Sequence, residues 1–561
     1  MTDLLRELDV LALDCQAAGA SPRHGDLLEL GWAVCRAGAP GPVQSRWIVP
    51  RTRRRVPRAV RELTGWTESC VAEALEEGAA WALLSEDVAR IAAQTRSGRA
   101  PTVIHFARFE LGFLKDLHER IGNGEDFPFD AICLHAIALR LFPDLPRRNI
   151  RALAGYLGHS PALIRRSAGH VEATAFIFSA LVPLLEQASI RTWSELRAWL
   201  EESSPPPRRT RRVYPFGVER RRALSDRPGV YRFLRRNGDV VYVGKAASLK
   251  KRVASHFGTH DRVTERALEF LTQVHDIECT ETASVLEAAL LEADEIKRLD
   301  PPYNVQLRSG DRSAWFASRE LSDAVPAPDD AHRIGPLPSR RALMPLAALI
   351  SLDGGAEALP ALQAAALAVP SVTLPDEQLF SEGLQSCIAD WHANNPEKTA
   401  ARRILHASRS VWLSRRRAEP DAPSDDDAPE WDLARVRRKL ERNLVQTGLL
   451  LRRARFLCLL CDASIAFRER DMEHARLLVL SKGEIVERCE LPSIMANAGL
   501  TRRAWRTLHE RQSSFDAASY DRLRVLLTEL HRVKDEGGEV ALRIGQHALN
   551  PEQVSTLMRT I

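Results

Sequence analysis

The chain has 561 residues, 45% hydrophobic and 27% charged, with a formal net charge of +5. That length exceeds one ordinary domain and allows three or four, and the composition excludes disordered and fibrous classes. The nine cysteines are scattered without disulfide-like spacing, no hydrophobic leader opens the chain, and no apolar run reads as long enough to cross a membrane, so the expected setting is a reducing cytoplasm.

Residues 9–15 (D-V-L-A-L-D-C) read as an apolar strand ending in an acid, with further strands over 26–35 and 45–50. A short strand at 102–104 feeds a helix over 105–121, and helices are expected over 129–142, 149–157 and 171–185. Strands first, then alternating strand and helix, predict a mixed-sheet α/β layer fold over 1–195. Residues 196–222 read as a linker, because E-E-S-S-P-P-P-R-R-T-R-R combines a proline run with charge. From Arg208 to Arg252 there are fifteen Lys/Arg against three acids, a local field suited to a polyphosphate partner. Arg208, Arg209, Arg211 and Arg212 are the linker's candidate phosphate contacts, or else freely solvated arginines.

The segment 223–310 carries the densest pattern. V-Y-R-F-L and D-V-V-Y-V flank Arg236-Asn237-Gly238-Asp239, and Asn-Gly is the strongest short hairpin signal. The pleat brings Tyr231 and Tyr242 to one face. Residues 248–257 read as a helix with Arg252 on its flank, and 284–299 as a second helix in which Glu292 sits among apolar neighbours. A carboxylate so placed needs a partner, and a metal ion is one. In order, Gly229-Val230-Tyr231, Tyr242-Val243-Gly244, Arg252, Glu292 and Pro301-Pro302-Tyr303-Asn304-Val305 resemble a GIY-YIG nuclease domain of the type found in the UvrC excision-repair nuclease and its short homologue Cho.

That resemblance implies a metal-dependent DNA endonuclease. Glu292 would hold Mg²⁺ or Mn²⁺, and either Tyr242 or Tyr231 would take the proton of the attacking water. Arg252 and Lys245 would meet the developing negative charge, and Asn304 completes the catalytic set. Lys250, Lys251, Arg308 and Arg312 are further candidate DNA contacts. Trp315 and Phe316 stack on a base or pack inward from a strand. DNA is the implied partner, with UvrA and UvrB as candidate protein partners and no membrane.

The first domain resembles the DEDD-type 3′–5′ exonucleases, such as the epsilon subunit of bacterial DNA polymerase III, whose fold is ribonuclease H-like. The motifs are eroded. Asp14-Cys15-Gln16 stands where the family has D-x-E, and His105-Phe106-Ala107-Arg108-Phe109-Glu110 stands where it has H-N-A-x-F-D. Arg165 and His170 fall where it has its histidine base and an aspartate. Only Asp14 and Glu110 remain as metal-binding carboxylates, and an arginine cannot act as the base. The expectation is an exonuclease fold without its reaction, which would serve as a binding module. The alternatives are a working 3′–5′ exonuclease, or a non-catalytic DNA-binding scaffold.

Beyond residue 320 the resemblance stops. Region 311–417 reads as mostly helical (341–350, 359–368, 377–394, 399–417) after a proline-rich loop at 325–338. Residues 418–430 form an acidic flexible linker, and 431–561 an α+β region. In the latter, 431–455 is a long helix, 453–469 and 475–491 are strands, and the end is helical. Cys458-Leu459-Leu460-Cys461 with Cys387 and Cys489 could form a four-thiolate site, but leucines at the turn read instead as buried core cysteines. No second carboxylate set and no helix-hairpin-helix turn are found. The fold class expected is therefore multidomain α/β and α+β.

Overall fold

Alternation along the first strand builds the first domain. In Asp9–Ala17, Val10 and Ala12 enter one apolar cluster while Leu11 and Leu13 enter another, so the strand is buried on both faces. The computed structural model describes residues 3–36, 39–52, 55–122, 124–159, 165–202, 213–258, 264–305, 314–343, 346–347, 360–369, 373–392, 399–417, 430–494, 517–545, 547–549 and 553–555. Asp9–Ala17 runs antiparallel to Leu27–Arg36 and parallel to Ala100–Ile104, which is parallel in turn to Phe129–Cys133. Ala39–Pro40 and Gln44–Trp47 pair with Leu27–Arg36, giving a six-stranded mixed sheet. Glu77–Ala92 and Ala107–Ile121 bury Trp81, Leu84, Phe113 and Leu117 on one face. Leu134–Leu141, Ile150–Leu157 and Ser167–Gln187 bury Ile137, Leu153, Ile177 and Leu181 on the other. The result is the layered α/β arrangement the strand-helix order anticipates.

Three sequence expectations change here. Residues 129–142 are not one helix, because Phe129–Cys133 is the fifth and last strand along the central sheet path. The linker expected from 196 does not begin there: Trp193–Glu202 is a helix, Trp193 and Leu196 are buried, and Trp193 Nε1 donates to Asp130 at 2.9 Å. Ser167–Gln187 is long and apolar enough to cross a membrane by length and composition, but half of its apolar window is buried within the protein. Buried residues on successive turns make it a core helix. Arg208, Arg209, Arg211 and Arg212, with Arg308 and Arg312, lie outside the described residues.

The next sheet is small and antiparallel, with Gly229–Leu234 between Val240–Ala246 and Asp276–Glu281. Phe216 is fully buried in its aromatic cluster, so the chain packs already before residue 223. Met1–Glu281 with Pro301–Asn304 form one compact unit.

Thr282–Asp300 with Val305–Ile561 form the other. It holds a three-stranded sheet (Ala324–Val325, Trp315–Ser318, His332–Leu337) and the helices Pro360–Leu367, Glu377–His392, Ala400–Arg417 and Leu433–Leu460. Residues 332–337 are thus strand rather than loop. The long helix runs on to Leu460, through residues expected as strand, because Leu444, Leu451 and Ala454 keep helical spacing into one apolar cluster and Phe456, Leu457 and Leu460 enter another. A five-stranded antiparallel sheet follows, in the order Glu484–Leu491, Ala475–Ser481, Ala463–Arg468, Glu539–Ile544, His547–Leu549, with helix Ala517–Asp535. The last two strands answer to no expectation from sequence. Cys458 donates to the Gly335 carbonyl at 3.1 Å, Cys461 and Cys387 are buried, and no cluster of three metal-ligating side chains occurs among the described residues.

Candidate active site

The hairpin register places the first part of the site. Tyr231 pairs with Gly244 and Phe233 with Tyr242, so all four share one face. The turn is closed by Gly238 at φ +89°, and Asp239 N donates to Asn237 Oδ1 at 3.1 Å. Gly244 is required by its neighbour: a Cβ there would lie 2.5 Å from Tyr231 Oη and 2.8 Å from Tyr242 Cε1. The buried ring of Tyr231 therefore crosses over the backbone of the Y-V-G motif.

The helix Leu249–His256 adds the cation. Ser248 caps it, accepting from Lys251 N at 3.2 Å and donating to Asp226 at 3.0 Å. Leu249 and Val253 are buried, which turns Arg252 and His256, four residues apart, onto one flank. Burial works against the Arg252 charge, yet hydrogen bonds to both Tyr231 and Tyr242 raise its pKa. Arg252 has only donors, so the tyrosine oxygens accept from it. His256 Nε2 stands 2.7 Å from Tyr231 Oη, within hydrogen-bond distance. Burial, then the Arg252 charge, pushes His256 down to about 4, so its ring is neutral at pH 7. His256 was not singled out from sequence. Its only signal was the four-residue step from Arg252.

Asn304 has a structural bond on each side of its amide. Oδ1 accepts from Val243 N at 3.0 Å, and Nδ2 donates to Val243 O at 2.9 Å. It is 7% exposed and completes the outer edge of the strand that carries Tyr242. Tyr303 beside it donates to Glu269 at 2.8 Å, and Glu269 accepts from Asn149 of the first domain at 2.6 Å. Lys245 pairs in register with Val230, so the pleat starts it from the face opposite the two tyrosines. Lys250 is half-buried and Lys251 exposed in the first turn of the Arg252 helix. Glu292 is half-buried on Val285–Leu299, in the second compact unit.

In the first domain, the strand Asp9–Ala17 carries Asp14 within its paired length, and the first turn of Ala107–Ile121 carries Glu110; each is 5% exposed. Asp14 is already engaged. His170 Nδ1 is 3.2 Å from Oδ1, and Gln16 Nε2 donates to Oδ2 at 3.1 Å. Burial, then the Asp14 charge, pushes Glu110 up to about 9, so it holds its proton at pH 7. Burial and His135 push His105 down to about 3. Arg165 is exposed. The helix carrying His170 is seated by Glu29, which is fully buried and accepts from Arg166 Nε at 2.8 Å and Ser167 N at 3.0 Å.

One consequence of this packing is testable at once. Gly244→Ala should cut any nuclease activity of the hairpin domain by about a hundredfold, because a displacement near 1 Å of both tyrosines is unavoidable. Single-turnover cleavage would show it. A variant that cleaves at the wild-type rate would mean the two rings are not part of the reaction.

The family described as UvrC-like GIY-YIG domain matches residues 227–305. UvrABC system protein C of Alkalilimnicola ehrlichii is 51% identical over 95 residues, covering 17% of this chain and 15% of that protein. A Mycobacterium tuberculosis protein provisionally named as a bifunctional exonuclease/endonuclease is 26% identical over 359 residues, covering 62% of this chain and 53% of its own length. Among solved structures, the GIY-YIG N-terminal endonuclease domain of UvrC from Thermotoga maritima, bound to its catalytic cation magnesium, is 31% identical. That match covers 16% of this chain and 93% of that one, with a TM-score of 0.14. The chain thus spans about half the length of the Mycobacterium tuberculosis relative and far less of the Alkalilimnicola ehrlichii protein. It carries a UvrC-like GIY-YIG domain at residues 227–305, and over a longer stretch it is similar to a relative named for both exonuclease and endonuclease.

Proposed function

We propose that the protein is a metal-dependent, structure-specific DNA endonuclease of excision repair, which hydrolyses a phosphodiester in damaged or distorted DNA. The observation that carries this reading is the cluster of Tyr231, Tyr242, Arg252 and His256 in a domain matched to the UvrC-like GIY-YIG family. Tyr242 is half-buried whereas Tyr231 is fully buried, so Tyr242 is the hydroxyl that reaches water and serves as the base. Tyr231 holds Arg252 and His256 in register, and Arg252 meets the developing phosphate charge. Asn304 is a positioning residue for the Tyr242 strand, rather than a reacting group. Lys245 answers phosphate from the strand's end.

Glu292 is the proposed metal ligand. One carboxylate ligand completed by water and phosphate suits Mg²⁺ or Mn²⁺, and among the described residues there is no three-residue cluster that would favour a closed site. When bound, the ion polarises the scissile phosphate and stabilises the leaving oxygen.

The first domain we read as a ribonuclease H-like exonuclease fold that binds DNA without cutting it. Asp14 is tied up by His170 and Gln16, and Glu110 is protonated, so the pair does not fit a two-metal site. Assistance by UvrA and UvrB, and action in the cytoplasm, belong to the same reading.

The test is cleavage of labelled bubble DNA by the full chain. Internal cuts in Mg²⁺ that stop with EDTA and persist in Asp14→Ala are expected. Ladders shrinking from the 3′ end and lost in Asp14→Ala would replace this reading with an exonuclease. No cleavage of any substrate, with or without excision-repair partners, would leave only a scaffold.

A further inference from the structure

We propose that the C-terminal α+β module, residues 463–549, is the seat of the helix that carries Glu292, and that Glu469, Arg476, Asp521 and Arg522 are positioning residues for that carboxylate. The inference rests on Glu292 being the metal ligand.

Val285–Leu299 is fifteen residues long, a length at which an isolated helix is marginal in water. Its position is therefore set by what it packs on. Ser284 caps it by accepting from Glu287 N at 3.1 Å. Two first-turn N–H groups remain, those of Val285 and Leu286, and Glu469 accepts both, at 3.1 and 3.0 Å. Its charge lies against the positive end of the helix dipole. Arg532 holds Glu469 in turn, at 2.6 Å, and is itself bound to Glu529.

Further along, three ion pairs repeat the contact. Arg476 meets Glu287 at 3.0 Å, with the carboxylate side chain only 5% exposed. Arg522 meets Asp294 at 3.0 Å, and Asp521 meets Lys297 at 3.1 Å. Leu286 and Leu290 enter the module's core beside Phe467, Leu523 and Leu527. At 100° per residue, positions 286, 287, 290, 294 and 297 fall within an arc of roughly 100°, and position 292 lies roughly 190° from its middle. The module grips one face of the helix, and Glu292 projects from the opposite one. Contacts at the cap, the middle and the last turn fix both rotation and slide. None of the gripping residues lies within 160 positions of the helix, so the GIY-YIG segment alone lacks this seat.

The test is Mn²⁺ binding by the full chain, followed by the electron paramagnetic resonance of the free ion, with nicking measured in parallel. The variants are Glu292→Ala, Lys297→Asp, Asp521→Lys, the exchange Lys297→Asp/Asp521→Lys, and Glu469→Gln. Each single seat variant should weaken Mn²⁺ binding by about tenfold, the range found when residues that orient a ligand are lost. The exchange should restore binding to within about twofold, which a general loss of stability would not do. Seat variants that melt earlier but bind Mn²⁺ as the wild type does would overturn the proposal, as would an exchange that restores nothing. Glu469→Gln keeps the shape of the cap and guards against a reversal that fails to fold. If instead Glu292→Ala binds Mn²⁺ and nicks normally, the metal-ligand reading itself falls, and this inference with it.

Discussion

Glu292→Ala is expected to lower internal cleavage by about a thousandfold or more and to leave the protein folded. A thousandfold corresponds to about 4 kcal/mol of barrier, a reasonable share for a metal acting on a phosphodiester. The helix persists because alanine is the best helix former and the position is only half-buried. Its anchorage is also spread over Leu286, Glu287, Leu290, Asp294 and Lys297 rather than centred on Glu292. Glu292→Gln should fail almost as badly, since a neutral amide does not offset a cation's charge, whereas Glu292→Asp should retain part of the rate. Single-turnover cleavage in saturating Mn²⁺ beside a circular-dichroism melt separates chemistry from folding. Cleavage by Glu292→Ala within tenfold of wild type would sink the assignment.

The site was legible where its parts are local. Gly229-Val230-Tyr231 and Tyr242-Val243-Gly244 sit across one hairpin, and Arg252 is on the next helix, so short-range turn and pleat rules place three groups together. Asn304 was found by its motif, but its task was not. Only coordinates show that both ends of its amide serve Val243. His256 was missed because a lone histidine on a short helix carries no pattern until its partner Tyr231 is seen at 2.7 Å. The seat of the Glu292 helix was invisible for the same reason: Val285 and Glu469 are 184 residues apart, and nothing local links a helix N-terminus to that carboxylate.

The fold errors share one cause. F-D-A-I-C at 129–133 and the run ending Phe456 to Leu460 are short apolar stretches that fit strand and helix alike, and packing decided each. Proline-rich composition drew the linker too early, although Trp193 and Leu196 were apolar at helical spacing across its expected start. In the exonuclease-like centre the sequence showed which carboxylates were missing. It could not show that the survivors were already engaged, Asp14 by contacts to His170 and Gln16 and Glu110 by its own proton.

That protonation predicts a stability effect with a definite sign. Burial, then the Asp14 charge, takes Glu110 from 4.5 to about 9 in the folded domain. A folded pKa above the unfolded one gives stability that is complete below 4.5 and lost progressively as pH rises toward 9. At 5% exposure, solvent does little to soften the effect. Between pH 5 and pH 8 the wild type should lose about 4 kcal/mol from this group alone. Glu110→Gln keeps the shape and cannot ionise, so it escapes that loss. Relative to wild type the variant should gain steadily with pH in EDTA, read from amide exchange in the strand Asp9–Ala17 so that the other domains do not intrude. If the gap between the two proteins is the same at pH 5 and pH 8, Glu110 is ionised in the folded domain. Asp14 and Glu110 would then form a carboxylate pair open to a divalent ion, and the reading of the first domain as a binding module would have to give way to an active one.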